Sequence, residues 1–427
     1  MKDSRRTFLK VAGSSAVVAP MIVPSTVFGN EEKAAPSERV TVGHIGVGGR
    51  GTAVLQGILQ SKDSQSVALA DCFENKRENI ANLIKAKTSY DIAKYADFRD
   101  LLADESIDAV VVATPDHWHV PIANYAARAG KSAYVEKPLA VTIEQDLACQ
   151  KAFEETGKVF QYGTQQRSMP HCFLGCELVR RGAIGKVHTI EVDAPNGGSG
   201  GSTVEAPIPA GFDFNMWCGP SPLSTYTSDR CKPNGTYWIY DYSIGYLGGW
   251  GAHPLDIMVW GSDADLSGPV VVSGTGDVPT EGLYDTVYNW DMKIKLGDVD
   301  MIFKPGTDRT KFIGTDGWIE VRRGQSRTTA SDPKILEQPL DPNDNKLLVS
   351  THHQDNFIQA VKLGDPKAAV SNLRDAVRSD LISLLCDMAV RTGETITWDP
   401  KAQKLVDPSE KAKAMLTRPM RDPWKLV

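Results

Sequence analysis

Val40-Thr41-Val42-Gly43-His44-Ile45-Gly46-Val47-Gly48-Gly49-Arg50-Gly51 is the stretch that decides the fold. Val40–Ile45 is an apolar run of strand length, and it enters a glycine-rich turn followed by a helical pattern through about Leu59. A second strand, Ser66–Ala70, ends at Asp71. Strand, G-x-G-x-x-G, helix, strand and acid, in that order, make the fingerprint of a dinucleotide site. Gly46 permits the tight turn, Gly48 lets the backbone approach a pyrophosphate, and Gly51 lets helix and strand pack closely. Gly49 and Arg50 open the helix, whose unpaired N–H groups face the anion. Asp71, 20 residues after Gly51, is spaced to accept hydrogen bonds from the adenosine ribose. A 2′-phosphate there would meet like charge, so the expected cofactor is NAD rather than NADP, with Arg50 the one group that would favour a phosphate.

Outward from this stretch the alternation continues. Asp108–Thr114 is a continuous apolar run, as a parallel strand buried on both faces requires. A helix over about His119 to Ala129 follows, then a strand at Ser132–Glu136. Thr142–Thr156 is a helix opened by the capping box Thr142-x-x-Gln145 and closed by Gly157, and Val159–Gly163 is one more strand. Repeated βα units predict a doubly wound parallel sheet. Ligands of such sheets sit beyond the carboxyl ends of the strands. Gly46–Gly51, Asp71, Thr114–His119, Glu136–Pro138 and Gly163–Arg167 fall there.

At Thr114-Pro115-Asp116-His117-Trp118-His119 and Glu136-Lys137-Pro138 the chain resembles the Gfo/Idh/MocA family of NAD(P)-dependent sugar and polyol oxidoreductases. Gly248-Gly249-Trp250-Gly251-Ala252-His253-Pro254-Leu255-Asp256 is similar to the family's Gly-x-His-x-x-Asp helix, and Gly163-Thr164-Gln165-Gln166-Arg167 to a segment of its exported members. The resemblance implies that Lys137 contacts the reacting hydroxyl and that His253 works with it as acid and base. It also implies that Thr114, Pro115, His117, Trp118, His119 and Glu136 line the nicotinamide side. Removing a hydride from an alcohol carbon requires a group that takes the hydroxyl proton, and a lysine does so if desolvation lowers its pKa. Many members carry an aspartate four residues before the histidine, where this chain has Gly249; Asp256 is the nearest alternative carboxylate and Asp241 another. Gln165, Arg167 and Trp250 are candidate substrate contacts.

After about Gly185 the pattern changes. Lys186–Asp193 begins a strand, and Ala194–Ala210 is a Gly/Ser/Pro-rich loop, either a plain insertion or a lid. Nine aromatics between Trp217 and Trp260 suggest a core in which two or three rings reach a carbohydrate. Val270–Thr275, Val287–Leu296, Val299–Lys304 and Lys311–Arg322 read as antiparallel strands, with turns at Gly297-Asp298 and Thr315-Asp316-Gly317. By the resemblance, this sheet leaves one face open for homo-oligomerisation. His352–Leu363 and Asn372–Thr392 read as helices.

The expected fold class is therefore α/β, a Rossmann dinucleotide-binding domain plus a carboxyl-terminal α/β domain with an open-faced, largely antiparallel sheet. The expected boundaries are 39–165 and 166–400, with a tail at 401–427. Residues 1–35 read as a signal and linker: Ser4-Arg5-Arg6-Thr7-Phe8-Leu9-Lys10 and the weakly apolar stretch to Phe28 resemble a twin-arginine export signal. Pro20 and Pro24 disfavour a membrane-spanning helix, so a periplasmic or otherwise exported location is expected, with no membrane span after signal removal. The 427 residues carry a net charge of −6 with mixed signs, which recommends no nucleic-acid partner. Seven scattered cysteines read as free thiols, and neither His171-Cys172 with Cys176 nor His352-His353 completes a metal site. The leading expectation is a CH–OH oxidoreductase acting on a sugar, polyol or glycoside. The rivals are a redox-neutral enzyme with tightly held NAD (glycoside-cleaving or sugar–sugar oxidoreductase) and a non-enzymatic sugar- or nucleotide-binding module.

Overall fold

A computed structural model describes residues 34–232, 235–262 and 268–427. The arginine pair and the apolar stretch behind it lie outside the described residues. By its contacts the chain forms two units, Met1–Arg39 and Val40–Val427; the described part of the first holds one short turn at Pro36–Glu38.

The second unit opens with the predicted alternation: β1 (Val40–Ile45), α1 (Gly49–Gln60), β2 (Ser64–Ala70), α2 (Glu74–Thr88), β3 (Ala93–Tyr95), α3 (Phe98–Ala103), β4 (Ala109–Val112), α4 (His119–Arg128), β5 (Ser132–Val135), α5 (Ile143–Thr156) and β6 (Phe160–Tyr162). All these strands pair in parallel, in the order β3-β2-β1-β4-β5-β6. That is the Rossmann order, in which the sheet reverses direction beside β1 and leaves a crevice at its carboxyl edge. β4 and β5 are buried along their whole length, because helices cover both faces. Thr142 caps α5 by accepting from the Gln145 N–H, and Gly157 closes it in the left-handed conformation.

Beyond α6 (Pro170–Arg180), β7 (Val187–Ala194) enters a second sheet. Three short helices follow, α7 (Phe214–Cys218), α8 (Tyr246–Gly249) and α9 (Ala252–Gly261). Then come β8 (Val270–Asp277), β9 (Asn289–Leu296), β10 (Val299–Pro305), β11 (Arg309–Gly314), β12 (Gly317–Arg322) and β13 (Arg327–Ala330). Among the described residues the sheet has nine strands, and only the pair β7–β10 is parallel. β9 alternates strictly between exposed and buried, so one face packs on the core and the other stays open. The strand read at Lys311–Arg322 is a hairpin, β11 and β12, turning at Thr315-Asp316. Of the loop read at 194–210, Ala194 ends β7, and residues 195–210 hold no helix or strand, only isolated bridges from Gly200 to Gly282 and Glu205 to Thr227.

α10 (His353–Leu363) and α11 (Leu373–Thr392) lead back to the first sheet, followed by β14 (Ile396–Asp399), β15 (Lys404–Leu405) and α12 (Glu410–Ala414). The segment read as a tail is thus structured. Its Trp424 is buried in the Rossmann core, 4.7 Å from the Trp118 ring centroid and 6.0 Å from that of Phe98. All seven cysteines are free.

Candidate functional site

Between the glycine loop and the segments after β2 and β4 lies a cleft of about 500 Å³, lined by Gly46, Gly48, Gly49, Arg50, Asp71 and Thr114 among others. Pro115, Asp116 and Trp118 continue its wall. Gly46 sits at φ 81°, and a Cβ on Gly51 would lie 2.0 Å from the Gly46 carbonyl oxygen, so both positions require glycine. By contrast, nothing lies within 4 Å of a Cβ built on Gly48 or Gly49. The open start of α1 therefore faces space that a pyrophosphate would fill. Asp71 is held at the rim, its carboxylate accepting from the Val47 and Phe73 N–H groups at 2.9 Å each. Two buried oxygens along the cradle, Thr114 Oγ1 and Glu136 Oε2, have no protein partner. The donor set fits a dinucleotide.

The residues expected to handle the proton gather at the tip of β5. Arg50 lines the cleft while its Nε donates to Glu136 Oε1 at 2.8 Å, tying the glycine loop to the strand end. Gln165 donates to the same oxygen at 2.9 Å and to the Tyr134 hydroxyl, so its amide N–H groups serve the framework and not a substrate. Next to Glu136, Lys137 is partly exposed, ahead of a cis bond to Pro138. Its Nζ donates to the Gly249 carbonyl at 2.7 Å. Burial lowers the amine's pKa below the ordinary lysine value, opposed in part by Glu136 and Asp116.

His253 sits in the first turn of α9, 6% exposed. Its Nδ1 lies 2.9 Å from Gln166 Oε1. Gln166 Nε2 is already committed, donating to Asp256 Oδ2 at 2.8 Å and to the His253 carbonyl at 3.2 Å. The amide oxygen therefore accepts and the proton sits on Nδ1, which leaves the lone pair on Nε2. Burial, with the positive charges of Arg323, Lys137 and Arg50, holds the imidazole well below its usual pKa, so it is neutral at physiological pH.

Four expectations change here. Asp256 does not partner His253 directly; it is 0% exposed and bonded to Arg167 at 2.6 Å, reaching the histidine only through Gln166. Arg167, 1% exposed, spends its guanidinium on Asp256, Asp375 and the Val370 carbonyl, so it joins the site to α11 and touches no substrate. His117 and His119 are buried in the framework. His117 Nε2 meets the Trp217 carbonyl at 3.0 Å, and the ring nitrogens of His119 meet the Pro138 and Thr114 carbonyls at 2.6 and 2.8 Å. Their neighbour Trp118 does line the cleft, its indole N–H donating to the Met216 carbonyl.

Gln166 lies inside a quoted motif, but the motif gave it no role, and two further residues of the site carry no motif at all. Asp308 and Arg323 form an ion pair at 2.7 Å, with the guanidinium 5.6 Å from the Trp250 ring. A chain of rings runs Trp238, Tyr246, Trp250, His253 at spacings of 4.3, 5.5 and 6.2 Å. Trp217 and Tyr242 instead fill a small core with Phe212 and Phe214. The paired histidines at 352 and 353 point apart, and His353 bonds the Tyr162 carbonyl. Among the described residues no cluster of His, Cys, Asp and Glu is arranged to hold a metal ion.

Residues 40–164 match the model of the Gfo/Idh/MocA oxidoreductase family's NAD-binding Rossmann fold, and residues 198–426 its carboxyl-terminal alpha/beta domain. A relative from Shewanella sp. (strain MR-4), "Glycosyl hydrolase family 109 protein 1", is 29% identical over 209 residues, or 43% of this chain and 44% of the relative. The match thus spans less than half the length of that curated relative. Among solved structures, an aldose–aldose oxidoreductase from Caulobacter crescentus shares the fold with a TM-score of 0.60 at 19% identity, covering 84% of this chain and 99% of its own. The WlbA dehydrogenase from Bordetella pertussis, solved with NADH and UDP-GlcNAcA, does so with a TM-score of 0.62 at 16% identity, covering 84% and 98%. Matched through both halves in order, and built on a glycine loop whose neighbours leave room for a pyrophosphate, the chain belongs to the Gfo/Idh/MocA family of NAD-binding oxidoreductases.

Proposed function

We propose that the protein oxidises or reduces a CH–OH carbon of a sugar, polyol or glycoside, with Lys137 and His253 moving the proton. NAD, when bound, takes up or returns the hydride. The observation that carries this reading is the pairing of a desolvated amine with a neutral imidazole whose Nε2 is free, beside a row of aromatic rings. With one N–H held by the Gly249 carbonyl, the Lys137 nitrogen presents its lone pair to a substrate hydroxyl once it is neutral. The proton leaves the hydroxyl for Lys137 as the carbon gives up hydride, and His253 Nε2 accepts from a neighbouring hydroxyl. Pyranose faces stack on the aromatic row, while Asp308 and Arg323 offer an acceptor and a donor to ring substituents.

A second reading is favoured by the relative called a glycosyl hydrolase and by Gly249 at a position where a carboxylate is expected. In it NAD stays bound, and the hydride returns to the product within one cycle. Oxidation to a transient ketone acidifies the adjacent C–H, which allows a glycosidic bond to be cleaved by elimination without net redox change. We place the protein outside the cytoplasm, delivered folded by the twin-arginine machinery, where a cofactor held through each cycle needs no external recycling. We also propose a homo-oligomer built through the open face of the nine-stranded sheet.

One assay separates the two reactions. Signal-free protein is incubated with NAD and a panel of aldoses, polyols and nitrophenyl glycosides, and NADH absorbance and nitrophenol release are followed together. NADH rising with substrate consumption supports the dehydrogenase. Product without net NADH, from protein that keeps nucleotide through dialysis, supports the redox-neutral cycle. No turnover of any panel member overturns both.

A further inference from the structure

Tyr237 has no place in any motif, yet it stands where the two halves of the proton-handling site meet. It belongs to the short turn Gly235–Trp238 and is half-buried. Its ring lies flat enough on Gly249 that a Cβ there would come within 3.0 Å of Cδ1 and 3.1 Å of Cε1. The carbonyl of that same glycine anchors Lys137 Nζ, which sits 5.4 Å from the centre of the Tyr237 ring. Tyr246, at 5.7 Å, packs on the ring and links it to the aromatic row. The phenol is within electrostatic reach of Asp116, Glu136 and Arg50, the charged groups that surround Lys137. Among the described residues its hydroxyl has no hydrogen-bond partner.

We propose that Tyr237 is a further catalytic residue, whose hydroxyl donates a hydrogen bond to the same substrate oxygen from which Lys137 removes the proton. The inference rests on the oxidoreductase reading above. An alcohol oxygen has one proton to give and two lone pairs to fill, and a neutral amine beside a phenol supplies one acceptor and one donor. Burial and the two nearby carboxylates push the phenol's pKa up, so Tyr237 remains a donor across the working range. When hydride leaves the carbon, the hydroxyl proton passes to Lys137 and Tyr237 keeps its own. Its hydrogen bond shortens onto the developing alkoxide and then onto the carbonyl oxygen of the product. In the reverse direction the same bond polarises the carbonyl before hydride arrives.

Gly249 fits this geometry. A side chain at 249 would press on the Tyr237 ring, and the missing Cβ lets the ring lie against the glycine whose carbonyl holds the amine. Tyr237 fills the room that a longer residue at 249 would occupy.

The test compares wild type, Tyr237→Phe and Lys137→Ala on whichever member of the sugar, polyol and glycoside panel the wild type turns over fastest, with NAD affinity read by quenching of tryptophan fluorescence. Phe keeps the ring on Gly249, so the melting temperature should not move. The expected result is a kcat roughly 10- to 100-fold lower for Tyr237→Phe, as for loss of one oxyanion donor or somewhat less. KM and NAD affinity should change little. A wild-type kcat in Tyr237→Phe overturns the inference and leaves the oxidoreductase reading standing. A KM rise with kcat intact also overturns it, since it shows a ground-state contact only. A wild type that turns over no panel member overturns the underlying reading and the role of Tyr237 with it.

Discussion

The proposed chemistry turns on which atoms keep their protons. It asks for a neutral amine at Lys137 and a neutral imidazole at His253 with its proton on Nδ1, and different surroundings favour each state. For Lys137 burial lowers the pKa, with Glu136 and Asp116 opposing it, while the Gly249 carbonyl fixes the nitrogen in place. Lys137→Ala should lower kcat by about 10²- to 10⁴-fold, the span ascribed to one general base, with NAD binding preserved in a fluorescence titration. In the wild type the oxidation rate should rise with pH as the amine loses its proton. It should level off below the ~10.4 of an ordinary lysine. For His253 the tautomer is set by Gln166, whose amide can turn only one way because Asp256 and the His253 carbonyl hold its nitrogen. Gln166→Leu removes the acceptor for Nδ1–H. A cost near 1–3 kcal/mol for the orphaned donor corresponds to roughly 5- to 150-fold in kcat. A wild-type kcat in Gln166→Leu would show that the tautomer is not what Gln166 controls.

At the scale of elements, what holds the Lys137 loop is the long helix α11. Asp380 on that helix accepts from the Leu139 and Ala140 N–H groups at 3.2 and 3.0 Å, immediately behind the lysine. Facing it is Asp146 on α5, equally buried, and burial pushes both acids up, Asp380 to about 7. Unfolded carboxyls titrate near 4, so between about pH 4 and 7 the native state binds protons that the unfolded state has released. The stability that the pair contributes is therefore present in acid and lost as pH rises through about 7. Asp146→Asn carries no proton to lose. Against the variant, wild type should lose ~1.4 kcal/mol per pH unit for each proton involved, read from urea melts at pH 5, 6 and 7. Parallel stability curves would show that Asp146 takes up no extra proton on folding. The elements themselves were legible because each left a local trace: the glycine loop with Asp71, the Thr142 capping box, the alternation of β9. The relations between elements were not. Gln166 and His253 are separated by 87 residues and Leu139 and Asp380 by 241, and neither pair leaves a periodic signal. Arg167 looked like a substrate ligand because its motif sits at a strand end. Its two carboxylate partners, the buried Asp256 and the partly exposed Asp375, come from helices that only the tertiary fold brings together.

For the molecule as a whole, the open sheet face presents Lys293, Lys295, Asp300 and Lys304 around Ile302, which is 37% exposed. If copies associate through that face, Ile302→Arg should shift the protein to monomer in light scattering, with its melting temperature within a few degrees of wild type because the core face of β10 is untouched. An unchanged mass would place the oligomer contact elsewhere. The two domains are joined more closely than a linear division of the chain suggests. Trp118, which walls the nucleotide cleft, leans on Trp424, and Leu373, Ala376 and Val377 of α11 belong to the same buried cluster. A chain is made in order, so a ribosome that has finished the glycine loop, the Rossmann strands and even the second sheet has still not supplied the ring against which Trp118 rests. The wall of the nucleotide cleft gains its backing only late in synthesis, and until then the growing chain offers NAD an unbraced seat.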